Sequence, residues 1–229
     1  MIQIIPSILV SSEEEFKKQI NAVKDEVKMI QIDLADGEFV PNKTWAYQSP
    51  KKAQEYLAID FELHLMVVDP LKTIKDWTDN PRLKRILVHY ESDNDIKNII
   101  GELSILGKEL SIVLNPDTSI FVIEPLLDEI QGVMFMGVNP GWQGQKFILE
   151  TLKRIKQFKK TKTSHFVEVD GGVNEKTLPS LIKAGADGVC PGSAIFGNAK
   201  TPAKNIQNMQ KIISAKGACL PDRQESASG

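Results

Sequence analysis

Short apolar runs alternate with longer amphipathic stretches along most of the chain. The first run covers residues 2–5, and apolar residues then return every three or four positions between residues 16 and 27, as on one face of a helix. Ser12 and Glu15 form a capping-box pattern in front of that second stretch. The sequence therefore predicts a strand followed by a helix as its first unit.

The same alternation recurs along the chain. The predicted strands are residues 2–5, 27–34, 61–68, 85–89, 110–114, 132–138, 166–169 and 188–191. The predicted helices after the first are residues 49–57, 71–77, 95–106, 120–127, 146–161, 174–184 and 194–196. Most of these strands are continuously apolar, as in a parallel sheet that is buried on both faces.

Eight strand and helix units predict an α/β protein, a single-domain (βα)8 TIM barrel over residues 1–216. A doubly wound open sheet is the alternative. Residues 217–229 show no apolar period and are predicted to be a disordered tail.

Composition narrows the class of protein. The chain has 229 residues, 41% of them hydrophobic and 25% charged, with a net charge of -2, so it lacks the basic excess of a nucleic-acid-binding protein. No apolar run approaches the roughly 18 residues of a membrane span, and residues 1–6 lack the pattern of a signal peptide. We expect a cytoplasmic protein without a nucleic-acid or membrane partner. Two cysteines, Cys190 and Cys219, predict neither a disulfide framework nor a cysteine metal site.

Ionisable side chains occur at the ends of several predicted strands: Asp33, His64, His89 and Asp170. In a (βα)8 barrel these strand ends meet in one mouth. Two carboxylates such as Asp33 and Asp170 could pass a proton from one face of a substrate carbon to the other, which inverts a stereocentre beside a carbonyl. The enediolate formed on the way needs an electrophile, and a divalent metal held by carboxylates and imidazole would serve.

Structural roles compete with these interpretations. An isolated Asp after a strand is most often a cap or turn residue, and we favour that role for Asp36 and Asp69. A lone His in an apolar strand is usually a hydrogen-bonded core residue, an interpretation that suits His89 better than His64. Met66 and Met136 are expected in the core, with an apolar wall over the site as the alternative.

Three successive strand ends carry glycines. The residues concerned are Gly141, Trp142, Gln143 and Gly144, then Gly171 and Gly172, then Gly192 and Ser193. Glycine-bearing strand ends late in a (βα)8 barrel are used to hold a phosphate with backbone N–H groups. Such a site would explain why none of these segments contains Lys or Arg.

Several segments resemble one known family, that of ribulose-phosphate 3-epimerase. The resemblance runs in order from Ile4 to about Ile213, on the segments 6–9, 31–37, 39–42, 64–67, 138–147, 168–173 and 192–196. That family has a (βα)8 barrel, binds a divalent metal, and interconverts D-ribulose 5-phosphate and D-xylulose 5-phosphate by proton transfer at C3 between two bases. The resemblance also implies a homo-oligomer.

Carried over by position, the resemblance implies a role for each site residue. Asp33 and Asp170 would be the catalytic acid and base and also metal ligands. His64 would be a third ligand that touches the substrate, and Ser7 would contact the substrate. Gln31 stands where the family usually has a further His ligand. The phosphate would lie on Gly141–Gly144, Gly171–Gly172 and Gly192–Ser193.

The chain departs from the family pattern near the site. A carboxamide at Gln31 is a weaker and harder ligand than imidazole, so we expect lower affinity for Zn, while Fe, Mn, Co and Mg stay open. Ala35 replaces a Met, Trp142 stands where Phe is common, and Gln143 replaces a Gly of the phosphate loop.

Two alternatives follow from these departures, and a third class of enzyme is disfavoured. The space at Ala35 suggests another ketose phosphate, such as D-allulose 6-phosphate. Gln31 suggests a non-catalytic sugar-phosphate binder. A decarboxylase of the orotidine type would need a Lys between paired Asp residues, which the segment 33–36 lacks.

Overall fold

The computed structural model of the chain describes residues 2–92, 95–161 and 164–217. Its strands are β1 in two pieces (Gln3–Ile4 and Ser7–Ile8), β2 (Met29–Ala35), β3 (Asp60–Met66), β4 (Leu83–His89), β5 (Glu109–Leu114), β6 (Gly132–Met136), β7 (Phe166–Asp170) and β8 (Gly188–Cys190). Its α-helices are Glu13–Val23, Trp45–Gln48, Pro50–Glu55, Pro70–Lys75, Ile96–Ile105, Glu150–Thr161, Leu178–Ala184, Ser193–Phe196 and Pro202–Gly217, and a 3₁₀ helix occupies Ile120–Glu129.

The first strand closes the sheet. Each strand pairs in parallel with its neighbours, the first piece of β1 with β8 and its second piece with β2. Between the two pieces, the Ile5 N–H donates to the Val189 carbonyl of β8, while the Pro6 carbonyl accepts the Gln31 N–H of β2. Because one strand joins both edges, the described sheet is a closed eight-stranded barrel. The predicted (βα)8 barrel is confirmed over the open doubly wound sheet.

The first helix illustrates how the local sequence sets the outer layer. The Ser12 hydroxyl accepts the Glu15 N–H, as the capping-box pattern predicts. Phe16, Ile20 and Val23 are buried on one face of this helix, against the barrel strands. Apolar residues at every third or fourth position therefore both favour the helix and pack it against the sheet.

Three predicted helices differ from the structure. The helix predicted over residues 174–184 begins only at Leu178. Residues 120–127 form part of the 3₁₀ helix Ile120–Glu129, which contains Pro125, a residue that cannot donate a backbone hydrogen bond inside an α-helix. The helix predicted from residue 146 begins only at Glu150. Before it, the Gln145 carboxamide donates to the carbonyls of Asn139 and Trp142 and holds the chain in a loop.

The C-terminal helix, Pro202–Gly217, was not among the predicted elements, and it ends one residue beyond the predicted domain boundary at residue 216. The rest of the predicted tail, residues 218–229, lies outside the described residues, and so does Cys219. Across the described residues, no helix has both the length and the apolar character required to cross a membrane.

Candidate active site

Three strands bring the predicted site residues together at the mouth of the barrel. Gln31 and Asp33 alternate along β2, so both side chains point into the barrel. On β3, His64 is the register partner of Asp33. Asp170 is the last residue of β7. Gln31 and His64 have no exposed surface, and Asp33 and Asp170 are buried with 4% and 8% of their surface exposed.

Four polar side chains form a tight cluster. His64 Nδ1 lies 2.9 Å from Asp33 Oδ1 and 3.3 Å from Asp170 Oδ2. The carboxamide Nε2 of Gln31 lies 2.8 Å from Asp33 Oδ1, 3.3 Å from Asp170 Oδ2 and 3.4 Å from His64 Nδ1. One ligand atom of each of Asp33, His64 and Asp170 therefore falls within 4.8 Å of the others, close enough to share one metal ion.

The cluster fits a divalent metal ion in its spacing. Ligand atoms at the corners of a regular tetrahedron about 2.0–2.1 Å from a Zn ion lie about 3.3 Å apart, and His64 Nδ1 lies 2.9 Å and 3.3 Å from the nearest oxygens of Asp33 and Asp170. Gln31 Oε1 is buried without a hydrogen-bond partner among the described residues. A half-turn of the carboxamide would exchange its two ends and aim this oxygen at the cluster. Carboxylate and amide oxygens suit Mg and Mn, whereas imidazole suits Zn.

Burial and mutual contact shift the acidity of these groups. Burial raises the pKa of the Asp33 carboxyl to about 6 against the hydrogen bond of His64, and the charge of Asp170 adds to the rise. Burial disfavours the charged imidazole of His64, but the hydrogen bonds to Asp170 and Asp33 outweigh it and raise its pKa to about 9. A metal ligand must be deprotonated, so binding at His64 Nδ1 would release a proton.

The carboxylates and the three glycine-bearing strand ends share one cavity. It is lined by Asp33 and Asp170 together with the predicted contact residues Ser7, Gly141, Trp142, Gln143, Gly144, Gly171, Gly172, Gly192 and Ser193. We call the glycine-bearing segments 141–144, 171–172 and 192–193 the glycine rim. Gln31 and His64 lie behind the carboxylates and are not part of the lining. The structure thus brings together every predicted site residue, but it places His64 away from the open surface.

Backbone conformation explains several glycines of the rim. Gly141, Gly144, Gly171 and Gly172 have φ values of 115°, 80°, 91° and 69°, which residues with a side chain rarely adopt. A Cβ on Gly172 would lie 2.8 Å from the Cα of Phe147. A Cβ on Gly192 would lie 2.5 Å from Gln143 Nε2 and 2.8 Å from Ser7 Oγ, so the Gln143 carboxamide reaches across the cavity to the last segment of the rim. The lining contains no Lys or Arg among the described residues.

Apolar side chains line another part of the cavity. Leu9, Met66, Met136 and Val138 face it, so the two methionines form the apolar wall that was the alternative to a plain core position. Ala35 is fully buried, packs with Val40 and Met66, and is not part of the lining. The structure therefore gives no added space at Ala35 for a larger sugar.

Asp36 and Asp69 have the structural roles expected of them. Asp36 accepts the backbone N–H groups of Glu38 and Phe39 with one oxygen and that of Val68 with the other, so it shapes the long loop after β2. Asp69 accepts the Lys72 N–H and caps the helix Pro70–Lys75.

One contact of the cluster was not anticipated. His89, the last residue of β4, lies with its Nε2 2.9 Å from His64 Nε2, and its Nδ1 lies 3.3 Å from Glu91 Oε2. Burial lowers the pKa of His89 to about 4. Burial acts to raise the pKa of Glu91, but the hydrogen bonds of His89, Thr118 and Asn115 outweigh it and hold the pKa below its usual value. Glu91 lies two residues after the end of β4, so it could have been predicted at the barrel mouth by the same argument as Asp33.

Together these features define a (βα)8 barrel protein with a carboxylate and imidazole cluster at the carboxyl ends of its strands, where enzymes of this fold have their active sites. The model of the Ribulose-phosphate 3 epimerase family matches residues 3–196. The chain belongs to this family, as the resemblance predicted.

Curated relatives agree with this assignment. The chain is 36% identical over 206 residues to the ribulose-phosphate 3-epimerase of Bacillus subtilis (strain 168), covering 86% of this chain and 93% of that protein. It is 32% identical over 217 residues to the ribulose-phosphate 3-epimerase of Aquifex aeolicus (strain VF5), covering 93% and 97%. The similarity thus extends over almost the full length of both proteins.

Solved structures match the fold at low identity. KGPDC from Streptococcus mutans has a TM-score of 0.71 at 15% identity, covering 94% of this chain and 98% of that one. Orotidine 5'-monophosphate decarboxylase from Sulfolobus solfataricus has a TM-score of 0.66 at 16% identity, covering 95% and 100%. These likenesses establish the barrel architecture.

Proposed function

We propose that this protein is a pentulose-phosphate 3-epimerase that interconverts D-ribulose 5-phosphate and D-xylulose 5-phosphate by proton transfer at C3 between Asp33 and Asp170. The observation that carries the proposal is the shared cavity, in which both carboxylates face the glycine rim. A phosphorylated sugar has its charged end several bonds from the reacting carbon. A site with carboxylates at one end and backbone N–H groups at the other matches that arrangement.

The two carboxylates would divide the proton transfer between them. One removes the C3 proton from one face, and the other returns a proton to the opposite face, which inverts the centre. They come from different strands and both are nearly buried, so their positions are fixed by the barrel. The apolar wall of Met66, Met136 and Leu9 would exclude water from the reacting carbon.

The phosphate would be bound by the glycine rim. Backbone N–H groups can approach an anion closely where no Cβ intervenes, as at Gly171 and Gly172. Gln143 adds a side-chain N–H donor next to Gly192. Its carboxamide would donate to the phosphate, whereas the glycine usual at this position in the family has only its backbone N–H to offer.

Asp33, His64 and Asp170 would hold the divalent metal, and Gln31 would be the fourth ligand through its carboxamide oxygen. When bound, such an ion supplies a positive charge that stabilises the enediolate. The candidate ions are Zn, Fe, Mn, Co and Mg. The homo-oligomer implied by the family resemblance stays a prediction.

Deuterium exchange tests the reaction directly. Purified protein supplied with each of these metals is incubated with D-ribulose 5-phosphate in deuterated water, and NMR follows deuterium at C3 and the formation of D-xylulose 5-phosphate. We expect both signals. The absence of both signals with every metal would contradict the proposal. Protection of the protein against heating by the sugar phosphate, without turnover, would then identify a sugar-phosphate binder. Turnover of D-allulose 6-phosphate alone would identify the other substrate class.

Asp170→Asn should abolish the formation of D-xylulose 5-phosphate, because a carboxamide can neither accept nor return the proton on its face of C3. A fall of at least about 10³-fold in kcat is expected for loss of a general base. The matched control is Asp128→Asn, at an exposed position of the 3₁₀ helix, which should retain activity. Thermal unfolding of both variants checks folding. Retained formation of D-xylulose 5-phosphate in folded Asp170→Asn would remove Asp170 from the mechanism.

A further inference from the structure

A chain of hydrogen bonds leads from the back of His64 to the barrel surface. His64 Nδ1 faces the carboxylates, and its other ring nitrogen, Nε2, lies 2.9 Å from His89 Nε2. The second nitrogen of His89, Nδ1, lies 3.3 Å from Glu91 Oε2. Both imidazoles are fully buried, with ring centroids 5.1 Å apart and ring planes 27° from parallel, so they meet edge to edge. Neither His89 nor Glu91 has a part in the proton transfer itself.

Glu91 determines which atom donates in each of these hydrogen bonds. Its Oε1 accepts the Asn115 backbone N–H at 3.0 Å and also the Thr118 hydroxyl. Burial acts to raise the pKa of Glu91, but the hydrogen bonds of His89, Thr118 and Asn115 hold it below its usual value, so Glu91 is ionised and has no proton to donate. The proton between Glu91 and His89 therefore belongs to His89 Nδ1. Neutral His89 then presents a lone pair at Nε2, and the hydrogen bond to it must be donated by His64 Nε2.

The surroundings hold this arrangement in place. The ring of Phe39 lies 4.8 Å from the ring of His89 and covers it. Behind the carboxylate, Arg154 donates to the Thr118 carbonyl at 2.6 Å, which keeps a positive charge near Glu91. A neutral imidazole is protonated on one nitrogen only. If His64 keeps its proton on Nε2, its Nδ1 is the nitrogen with a free lone pair.

We propose that Glu91 and His89 are positioning residues that fix the tautomer of His64, so that Nδ1 is presented as a ligand to the metal between Asp33 and Asp170. Histidine ligands generally donate their other N–H to an acceptor that sets the tautomer. Here a second histidine is the acceptor, and a carboxylate beyond it fixes that histidine in turn. The inference rests on the metal site of the proposed function, but its tests need no turnover.

NMR of the imidazole nitrogens tests the tautomers in the unaltered protein. The chain contains three histidines, so long-range ¹H–¹⁵N spectra of the full-length protein are assignable with single His variants. We expect His89 to be neutral with its proton on Nδ1, and His64 to keep its Nε2 proton both before and after addition of Zn. A proton on His89 Nε2 in the unaltered protein would overturn the proposal.

Glu91→Gln tests the origin of the direction. The variant carboxamide keeps its oxygen on the Asn115 N–H, and its NH₂ then faces His89 Nδ1 and forces the His89 proton to Nε2. His64 Nε2 becomes the acceptor, and its remaining proton points at the metal site. We expect Mn and Co affinities to fall about 10- to 100-fold in calorimetric titrations. The control Glu124→Gln, at an exposed position, should leave them unchanged.

A double variant separates the relay from a local structural effect. In His89→Gln, a carboxamide oxygen can accept the His64 Nε2 proton without help from Glu91. Adding Glu91→Gln to His89→Gln should therefore cost little further metal affinity. An equal loss in both backgrounds would overturn the proposal, whatever the outcome of the deuterium exchange assay. Loss of C3 exchange in a protein with the expected tautomers and metal affinity would contradict the proposed reaction alone.

Discussion

Gln31 is the main departure of this site from the family pattern, which usually has a histidine at that position. Its side chain is fully buried and contacts Asp33, His64 and Asp170 within 3.4 Å. A neutral carboxamide there keeps the geometry of the cluster and changes its ligand chemistry. We therefore expect Gln31 to influence which metal the site prefers rather than whether the cluster forms.

Gln31→His should raise Zn affinity at least about 10-fold, because imidazole binds Zn better than an amide oxygen does. Competition with a chromogenic chelator measures the change. The matched control, Gln207→His on the exposed face of the last helix, adds a histidine away from the site and should have no effect. Unchanged affinity in Gln31→His would show that this side chain does not reach the metal.

At the scale of the elements, the strand ends of the glycine rim are held by close backbone packing. Gly171 has a φ of 91°, and a Cβ there would overlap the Val138 side chain. By contrast, Gly101 lies on the exposed face of the helix Ile96–Ile105 with no atom within 4 Å of the Cβ position. Glycine is therefore required by the backbone at position 171, whereas at position 101 it only weakens the helix.

Gly171→Ala should destabilise the protein by about 1–3 kcal/mol, through backbone strain and the clash with Val138. Gly101→Ala should stabilise it by about 0.5–1 kcal/mol, since alanine is the better helix former. Urea unfolding of both variants measures the difference. A neutral Gly171→Ala would mean that the strand end can shift to accept a side chain, which would argue against a rigid rim.

At the scale of the whole molecule, the barrel interior contains a second ionic cluster besides the carboxylate site. Arg85 Nη1 lies 2.9 Å from Glu62 Oε2 and 3.2 Å from Glu168 Oε2, and the Cys190 thiol donates to Glu168 Oε1. Glu62, Glu168 and Cys190 lie close enough to share a metal ion, but the guanidinium already supplies their positive charge. Cys190 is therefore an interior residue that donates a hydrogen bond.

This cluster makes the stability of the barrel depend on pH. Burial raises the pKa of Glu62 well above its ordinary value of 4.5, with the charge of Glu168 acting in the same direction. The native state therefore holds a proton that the unfolded chain releases near pH 4.5. The stability that this proton contributes is fully present below pH 4.5 and is lost as the pH rises through the native pKa.

Glu62→Gln should gain stability relative to the unaltered protein as the pH rises above 4.5, by up to about 1.4 kcal/mol for each pH unit until the native pKa is reached. Urea unfolding between about pH 4.5 and pH 8 measures this difference. Glu109→Gln removes a half-exposed carboxylate from the same Arg85 and controls for the loss of an ion pair. A difference between Glu62→Gln and the unaltered protein that stays constant with pH would contradict the expectation.

The sequence by itself determined the order of elements and most members of the site. Apolar period distinguishes strand from helix, and the carboxyl ends of parallel strands converge in any barrel, so Asp33, Asp170 and the glycine rim could be placed at one mouth from their positions alone. The 3₁₀ helix at Ile120–Glu129 was not predicted, because its apolar residues also fit an α-helix.

The tertiary structure decided the contacts that depend on side-chain direction across strands distant in sequence. It buried His64 behind the carboxylates, filled the space at Ala35 with Met66 and Val40, and linked His64 to Glu91 through His89. Strand register and side-chain packing set these distances. No periodicity along a single chain carries that information, because each contact joins residues from two different strands or loops.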